Sequence, residues 1–403
     1  MSWIAIASDE ARWIDRPAFA AALDVPGGRM ERGTLLLETR LSPQAKPQIL
    51  MSYERGFPLA ASLSVQVLPG GSIVLVASRE GEIFHTVIAH PGDGRAETLR
   101  LTLAWDAPRR WARLSVERPE SGTIELRELA PPPPPFYEDL KALTLHPELC
   151  AIAPDLLFFA FSDEIEPVGP LPTLAGSTPI ATPNGYRRLE SIRRGDRVLT
   201  GDGRAVPVLE TVHRLVPARG SFSPVRLRAP YLGLQRDILV APHQRLLIGG
   251  SEVEYLFGRE AVLVPAHSLT HGFAGQAEDC GPLLCYHQLL LPAHDTLLAA
   301  GLAAESLYVG RLRRDPARLA ASLLAGMPRD TIPRAAPRRA SGAWPLRGGD
   351  AGRSARGLRG ALRGCGLWGR CPRRATRGSP GIFPSRRSGR RARTRAWDGA
   401  EWR

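Results

Sequence analysis

The sequence predicts an all-β chain of two β-rich domains, and three observations carry that reading. Between residues 31 and 129, short segments alternate apolar and polar residues and recur with Gly, Pro and Asp between them, the pattern of half-buried antiparallel strands. A second series of strand-length apolar runs begins near residue 173, broken by Asn184-Gly185 and Asp202-Gly203, dipeptides that tolerate the positive φ of tight turns. Between the two series lies Pro131 to Pro135, five prolines in a row, which adopt extended polyproline II and space what they join. With 403 residues, 43% of them hydrophobic, the chain is long enough for more than one core.

The first series starts with GTLLLETRLS and SLSVQVLPGGSIVLVASR, where Pro69, Gly70 and Gly71 make a hairpin turn. EIFHTVIAH, ETLRLTLAWD, RRWARLSVE and GTIELREL follow, giving a β-sandwich over residues 1–130. The stretch TLRLTLAWDAPRRWARLSVE, with Trp105 before a turn and Leu114 and Val116 after it, resembles the laminin-G or concanavalin-like sandwich. It shows no calcium-ligand constellation, so a packing domain is expected rather than a lectin. Residues 131–172 are assigned to the proline spacer and a connector containing the helix-like YEDLKALTLH and the apolar LLFFAF.

Charge is distributed unevenly. Residues 334–403 hold 19 Arg, no Lys and three acids, a net of +16, so residues 1–333 carry −3 of the overall +13. Arg supplies all cations except Lys46 and Lys141, a bias expected of a GC-rich genome. The Arg-rich tail has too few apolar residues to build a core and is expected to be disordered. Two origins stay open for it: single-stranded nucleic-acid binding through Arg and Trp344, Trp368, Trp397 and Trp402, or a reading-frame change in the gene. Nucleic acid is therefore a partner only through this tail. The five cysteines, Cys150, Cys280, Cys285, Cys365 and Cys371, form no CxxC pair, which argues against a disulfide framework or a thiolate zinc site. No signal peptide or membrane-spanning stretch is visible. A cytoplasmic, membrane-free protein is the expectation, with leaderless export as the alternative; no cofactor and no metal are implied.

From Thr173 the chain reads TLAGSTPIATPNGYRRLESIRRGDRVLTGDG, then RDILVAPHQRLLI, YLFGREAVLVPAHSL and YHQLLLPAHDTLLAAGLAAESLYVG. Ile180 to Gly185, then Leu189, Ile192, Gly195, Asp196, Val198, Leu199 and Gly203, resemble in order the opening strands and turns of the Hint family, the self-processing domain shared by hedgehog proteins and inteins. The resemblance covers residues 173–310, is to a bacterial Hint subgroup, and implies an all-β horseshoe of bent strands. A short helical extension is expected over 311–333.

The resemblance also implies a chemistry. Family members cleave the bond before their first residue by a nucleophile, normally Cys, while a Ser or Thr three positions before a His orients the amide and the His protonates its nitrogen. Counting back from Ile180, the nucleophile position falls on Thr173, a much weaker nucleophile than a thiol at neutral pH. In VAPHQR the Ser/Thr position falls on Ala241 and the His position on Gln244, with His243 displaced by one. On a strand, that shift turns the side chain to the opposite face, so His243 is expected toward solvent, or toward the site if the strand is bulged. Thr173 and His243 are the candidate catalytic pair.

Splicing through a C-terminal Asn is excluded, because Asn184 is the sole asparagine and lies in the opening turn. His267, His287 and His294, and the loop cysteines Cys280 and Cys285, are expected to be structural; Glu305 and Ser306 should close the fold with hydrogen bonds. At most, then, the chain is an autoprocessing enzyme. It would act on itself by an N-to-O acyl shift before Thr173, with ester hydrolysis releasing residues 1–172. The competing expectation is a non-catalytic Hint scaffold carrying the sandwich and binding a protein partner.

Overall fold

Alternating strands in the first third of the chain pair as expected, and the computed structural model adds strands at both ends of the set. It describes residues 2–23, 27–41, 47–56, 60–69, 72–89, 97–270, 272–310, 312–333 and 344–345. The elements are β1 (Trp3–Ala7), β2 (Arg12–Ile14), α1 (Arg16–Leu23), β3 (Arg32–Leu41), β4 (Gln48–Arg55), β5 (Ala61–Val67), β6 (Ile73–Arg79) and β7 (Glu82–Ile88). Then come β8 (Glu97–Asp106), β9 (Trp111–Arg118), β10 (Thr123–Leu129), α2 (Tyr137–Leu145), β11 (Cys150–Ile152) and β12 (Leu156–Ser162). One sheet has the order β10-β9-β8-β3-β12-β1-β2 and the other β11-β4-β5-β6-β7. Leu35, Leu37, Leu101 and Leu103 from the first and Met51, Val65, Ile73 and Leu75 from the second share one core, so the two sheets form a sandwich.

The stretch assigned to spacer and connector belongs to this sandwich. β12 lies between β3 and β1 in the first sheet, β11 edges the second, and Leu140 and Leu143 of α2 enter the shared core. The run LLFFAF gave no alternation because it serves two cores. Phe159 and Phe161 point into the sandwich, whereas Phe158 and Ala160, on the opposite face of the strand, join Trp3 and Leu36 in a separate cluster with Val216, Phe222, Ala241 and Tyr286 of the second domain.

That second domain begins with β13 (Leu174–Ala175), β14 (Pro179–Thr182), β15 (Gly185–Arg188), β16 (Arg197–Leu199), β17 (Ala205–Pro207), β18 (Glu210–Pro217), β19 (Val225–Leu227), β20 (Ile238–Val240) and β21 (Arg245–Gly249). α3 (Ser251–Phe257), β22 (Ala261–Pro265), β23 (Gly275–Ala277), β24 (Leu283–Leu290), β25 (Thr296–Ala299) and β26 (Leu302–Glu305) complete it. One sheet runs β18-β24-β13-β20-β19-β23, a second contains β15-β14-β25-β26-β21-β22, and β16 and β17 form a hairpin. Residues 311–333 include α4 (Pro316–Ala320), with Asp315 capping its N-terminus; Leu319, Leu324 and Ile332 pack on Val212 and Leu290 of β18 and β24. Of the tail, Trp344 and Pro345 are described, as a short strand parallel to β22; the remaining tail positions fall outside the described residues.

Both domains lie in one compact unit, Met1–Cys365, and the face of the first sheet that turns away from the sandwich core is covered by the second domain. Glu38 and Arg100, paired across β3 and β8, are buried there. The Arg100 guanidinium lies 3.2 Å from Glu38, 3.7 Å from Glu117 and 4.0 Å from the centre of the Phe222 ring. The Ser221 hydroxyl hydrogen-bonds to both Glu38 and Arg100, and Arg214 of β18 pairs with Glu166 at 3.4 Å. Burying these charges is tolerable only because each meets an opposite charge or a donor.

Candidate functional site

The first residue of the second domain is placed by sheet pairing. β13 is inserted between β20 and β24, with Leu174 opposite Val240 on one side and His287 on the other. The Ala241 backbone N–H donates to the Thr173 carbonyl at 2.7 Å. Thr173 thus sits where the chain leaves β20 and where β24 crosses, and two side chains from those neighbours converge on it. The Thr173 hydroxyl donates to Gln244 Oε1 and accepts from Gln288 Nε2 at 3.0 Å.

Both carboxamides are buried, each 2% exposed, and both are satisfied. Gln244 Nε2 donates to the carbonyls of Arg245 (2.7 Å) and Glu305 (3.2 Å), which leaves its oxygen facing Thr173. Gln288 Nε2 also reaches Gln244 Oε1 at 3.1 Å and the Glu305 carbonyl at 3.1 Å. A carboxamide neither gives up nor takes a proton at neutral pH, so this geometry orders the hydroxyl without activating it. Ala241, at the position where the family resemblance implies Ser or Thr, offers no hydroxyl and packs instead in the interdomain cluster with Trp3, Phe158 and Tyr286.

His243 is not a strand residue. Pro242 and His243 form the turn joining β20 to β21, closed by the Gln244 N–H to the Ala241 carbonyl at 3.0 Å. The residue is half-buried, its ring 5.6 Å, edge to face, from His267. Burial, with the charges of His267 and Arg100, holds its imidazole down at about 3, so it is neutral at physiological pH. Among the described residues no hydrogen bond joins His243 to Thr173. Sequence reasoning thus located one partner position, Gln244, and missed Gln288. The available signal was the repetition of a His-Gln pair, His243-Gln244 and His287-Gln288: in both, the glutamine turns toward Thr173.

Of the other candidates, Glu305 meets the two glutamines through its backbone carbonyl; the side chains of the others have different partners. His287 stacks on His213 at 5.6 Å, and its imidazole is held below the ordinary range by burial and by that neighbour. Buried His294 bonds Glu305 Oε1 at 3.0 Å. The Ser306 N–H donates to the Asp295 carbonyl at 3.0 Å, so Glu305 and Ser306 tie β26 to the start of β25. Cys280 and Cys285 are free thiols. Among the described residues, no group of three or more His, Cys, Asp or Glu is placed to hold a metal ion, and no helix is long and apolar enough to cross a membrane.

A family model described as "Hint domain" matches residues 172–311, a span that includes Thr173, Gln244 and Gln288. Residues 172–311 are a Hint domain. Among solved structures, the chain is similar to the MchDnaB-1 intein (N145AA) at 17% identity, covering 33% of this chain and 98% of that one with a TM-score of 0.23. It is similar to the Msm DnaB1 intein splicing domain at 16% identity, with the same coverage and a TM-score of 0.22. The LG1-3 region of the laminin alpha2 chain is similar at 9% identity, over 76% of this chain and 56% of that one, with a TM-score of 0.23. No curated protein matches the chain. Within that span, Gln244 and Gln288 surround the Thr173 hydroxyl.

Proposed function

We propose that this Hint domain is a non-cleaving scaffold, which holds the sandwich on the face carrying its own first residue and presents the joined pair to a protein partner. The observation that carries the reading is the Thr173 hydroxyl bound between the carboxamides of Gln244 and Gln288. An N-to-O acyl shift needs a base to take the hydroxyl proton and an acid to protonate the departing amide nitrogen, and glutamine does neither. Packing supports the same reading. Pro172 is buried, and the interdomain cluster and the Glu38–Arg100–Glu117 charges tie the sandwich to the Hint domain.

The test is the intact mass of the purified full chain, followed over time with and without hydroxylamine or dithiothreitol. A single unchanged mass is expected. A fragment ending at Pro172 that disappears in Thr173→Ala would instead establish self-cleavage through the threonine hydroxyl and end the scaffold reading.

A further inference from the structure

Strand β7 ends the second sheet, and its seven residues, EIFHTVI, contain no Pro, Lys or Arg. Its pairing with β6 runs without a bulge. Edges of this length are ordinarily blunted by one of those devices, because their outward N–H and C=O groups can accept another strand. Here the side chains at the edge are apolar and open, Ile83 at 71% and Val87 at 47% exposure.

The hairpin determines which backbone groups are free. Glu80 and Gly81, both at positive φ, make a two-residue turn closed by the pair Arg79 and Glu82. Such a turn joins its flanking residues by a hydrogen bond, and alternation along the antiparallel ladder then turns the N–H and C=O of Ile83, His85 and Val87 away from β6. The Val87 carbonyl bears this out, since it accepts from Arg127 Nη1 of β10 at 3.4 Å. Among the described residues no strand pairs with this side of β7.

β10 lies beside that edge as a ledge. Glu125 and Arg127 stand opposite Val116 and Leu114 of β9, which belong to the sandwich core. Directly opposed residues share a face, so Glu125 and Arg127 are also turned toward the second sheet, yet both are exposed. β10 therefore projects past β7. Glu125 is paired with Arg118 at 2.8 Å, whereas Arg127, bonded to the Val87 carbonyl, makes no ion pair among the described residues.

We propose that this ledge receives an extended peptide segment of a partner protein, added as a strand to β7, with apolar side chains beside Ile83 and Val87 and a carboxylate over Arg127. A second copy of the chain does not fit, because pairing β7 with β7 would drive the partner's first sheet into the projecting β10. Residues 334–403 hold 19 Arg against three acids, the wrong charge for Arg127. The proposal adds the partner's chemistry to the scaffold reading, but it rests on the sandwich alone, so self-cleavage at Thr173 would leave it standing.

The test is fluorescence-anisotropy titration of the full chain with the end-blocked, labelled peptide TVEVEVT, whose alternation sets Val outward and Glu over β10. Saturable binding at one site is expected. N-methylation of the valines, which removes the donors to the edge, should weaken it about tenfold or more, and the peptide TVKVKVT should bind about fivefold or more weakly. Arg127→Glu should reverse the preference between the Glu and Lys peptides. His85→Pro, at an exposed position whose N–H does not serve β6, should abolish binding of both; the peptide controls and Arg127→Glu serve alone if it does not fold. Absence of saturable TVEVEVT binding, equal affinity for its N-methylated form, or an unchanged preference in Arg127→Glu would overturn the proposal. So would a dimer, seen by sedimentation, that His85→Pro dissociates, since a second copy would then occupy the edge.

Discussion

Gln288 Nε2 donates to Thr173 Oγ1 across 3.0 Å, so a residue at the start of the Hint domain is fixed by a side chain 115 residues further along the chain. With Gln244 on its other side, the hydroxyl occupies a polar nest built for order rather than for proton transfer.

If proton transfer is what is missing, changing the nucleophile alone should restore nothing. Thr173→Cys is expected to remain full length in dithiothreitol, because Gln244 still cannot protonate the amide nitrogen. Thr173→Cys with Gln244→His should release a fragment of residues 1–172, read by mass spectrometry. Cleavage by the single variant would show that the site retains another acid.

The nest is also structural. Gln288→Leu removes a donor to the buried Glu305 carbonyl and leaves Thr173 and Gln244 less completely paired. A loss of about 1–3 kcal/mol is expected, the usual cost of stranding buried polar groups, measured by the urea midpoint at unchanged m-value.

At the domain junction, Arg100→Leu would leave Glu38 and Glu117 buried without their shared cation. The expected cost is about 3–5 kcal/mol. Gly220 has φ +55°, and a Cβ there would meet Phe158 at 2.8 Å as well as the Glu38 carboxylate. Gly220→Ala is therefore expected to loosen the junction, splitting one calorimetric transition into two. A single transition at the wild-type temperature would show that the two domains are not held together there.

His243 predicts a pH dependence. Its folded value lies near 3 against the usual 6.5, so below pH 6.5 the unfolded chain takes up a proton that the folded chain refuses. The stabilisation is complete above pH 6.5 and is lost as pH falls toward 3, with a slope of at most about 1.4 kcal/mol per pH unit. His243→Asn should flatten the stability profile between pH 6 and 4, in urea melts at fixed temperature.

Where a strand faces a core on one side and solvent on the other, its residues announced it. β7 and β10 alternate buried or half-buried with exposed positions, and both were legible. β1 and β12 were not, because WIAIA and LLFFAF are buried on both faces, and a continuous apolar run has no period to read. The identity of the Hint domain was legible because its turns and strands follow one another in order along the chain. Thr173 was located by counting from Ile180.

What the sequence by itself determined was therefore local: strand periods, turn residues, the missing thiol at position 173 and the histidine displaced at 243. The tertiary structure alone decided that Gln244 and Gln288 meet at Thr173, that His243 lies in a turn, and that the sandwich covers this face. The reason is that sheet pairing joins residues 71 and 115 positions apart. No period along the chain encodes which strand will be inserted between which two others; only the packed sheet fixes it.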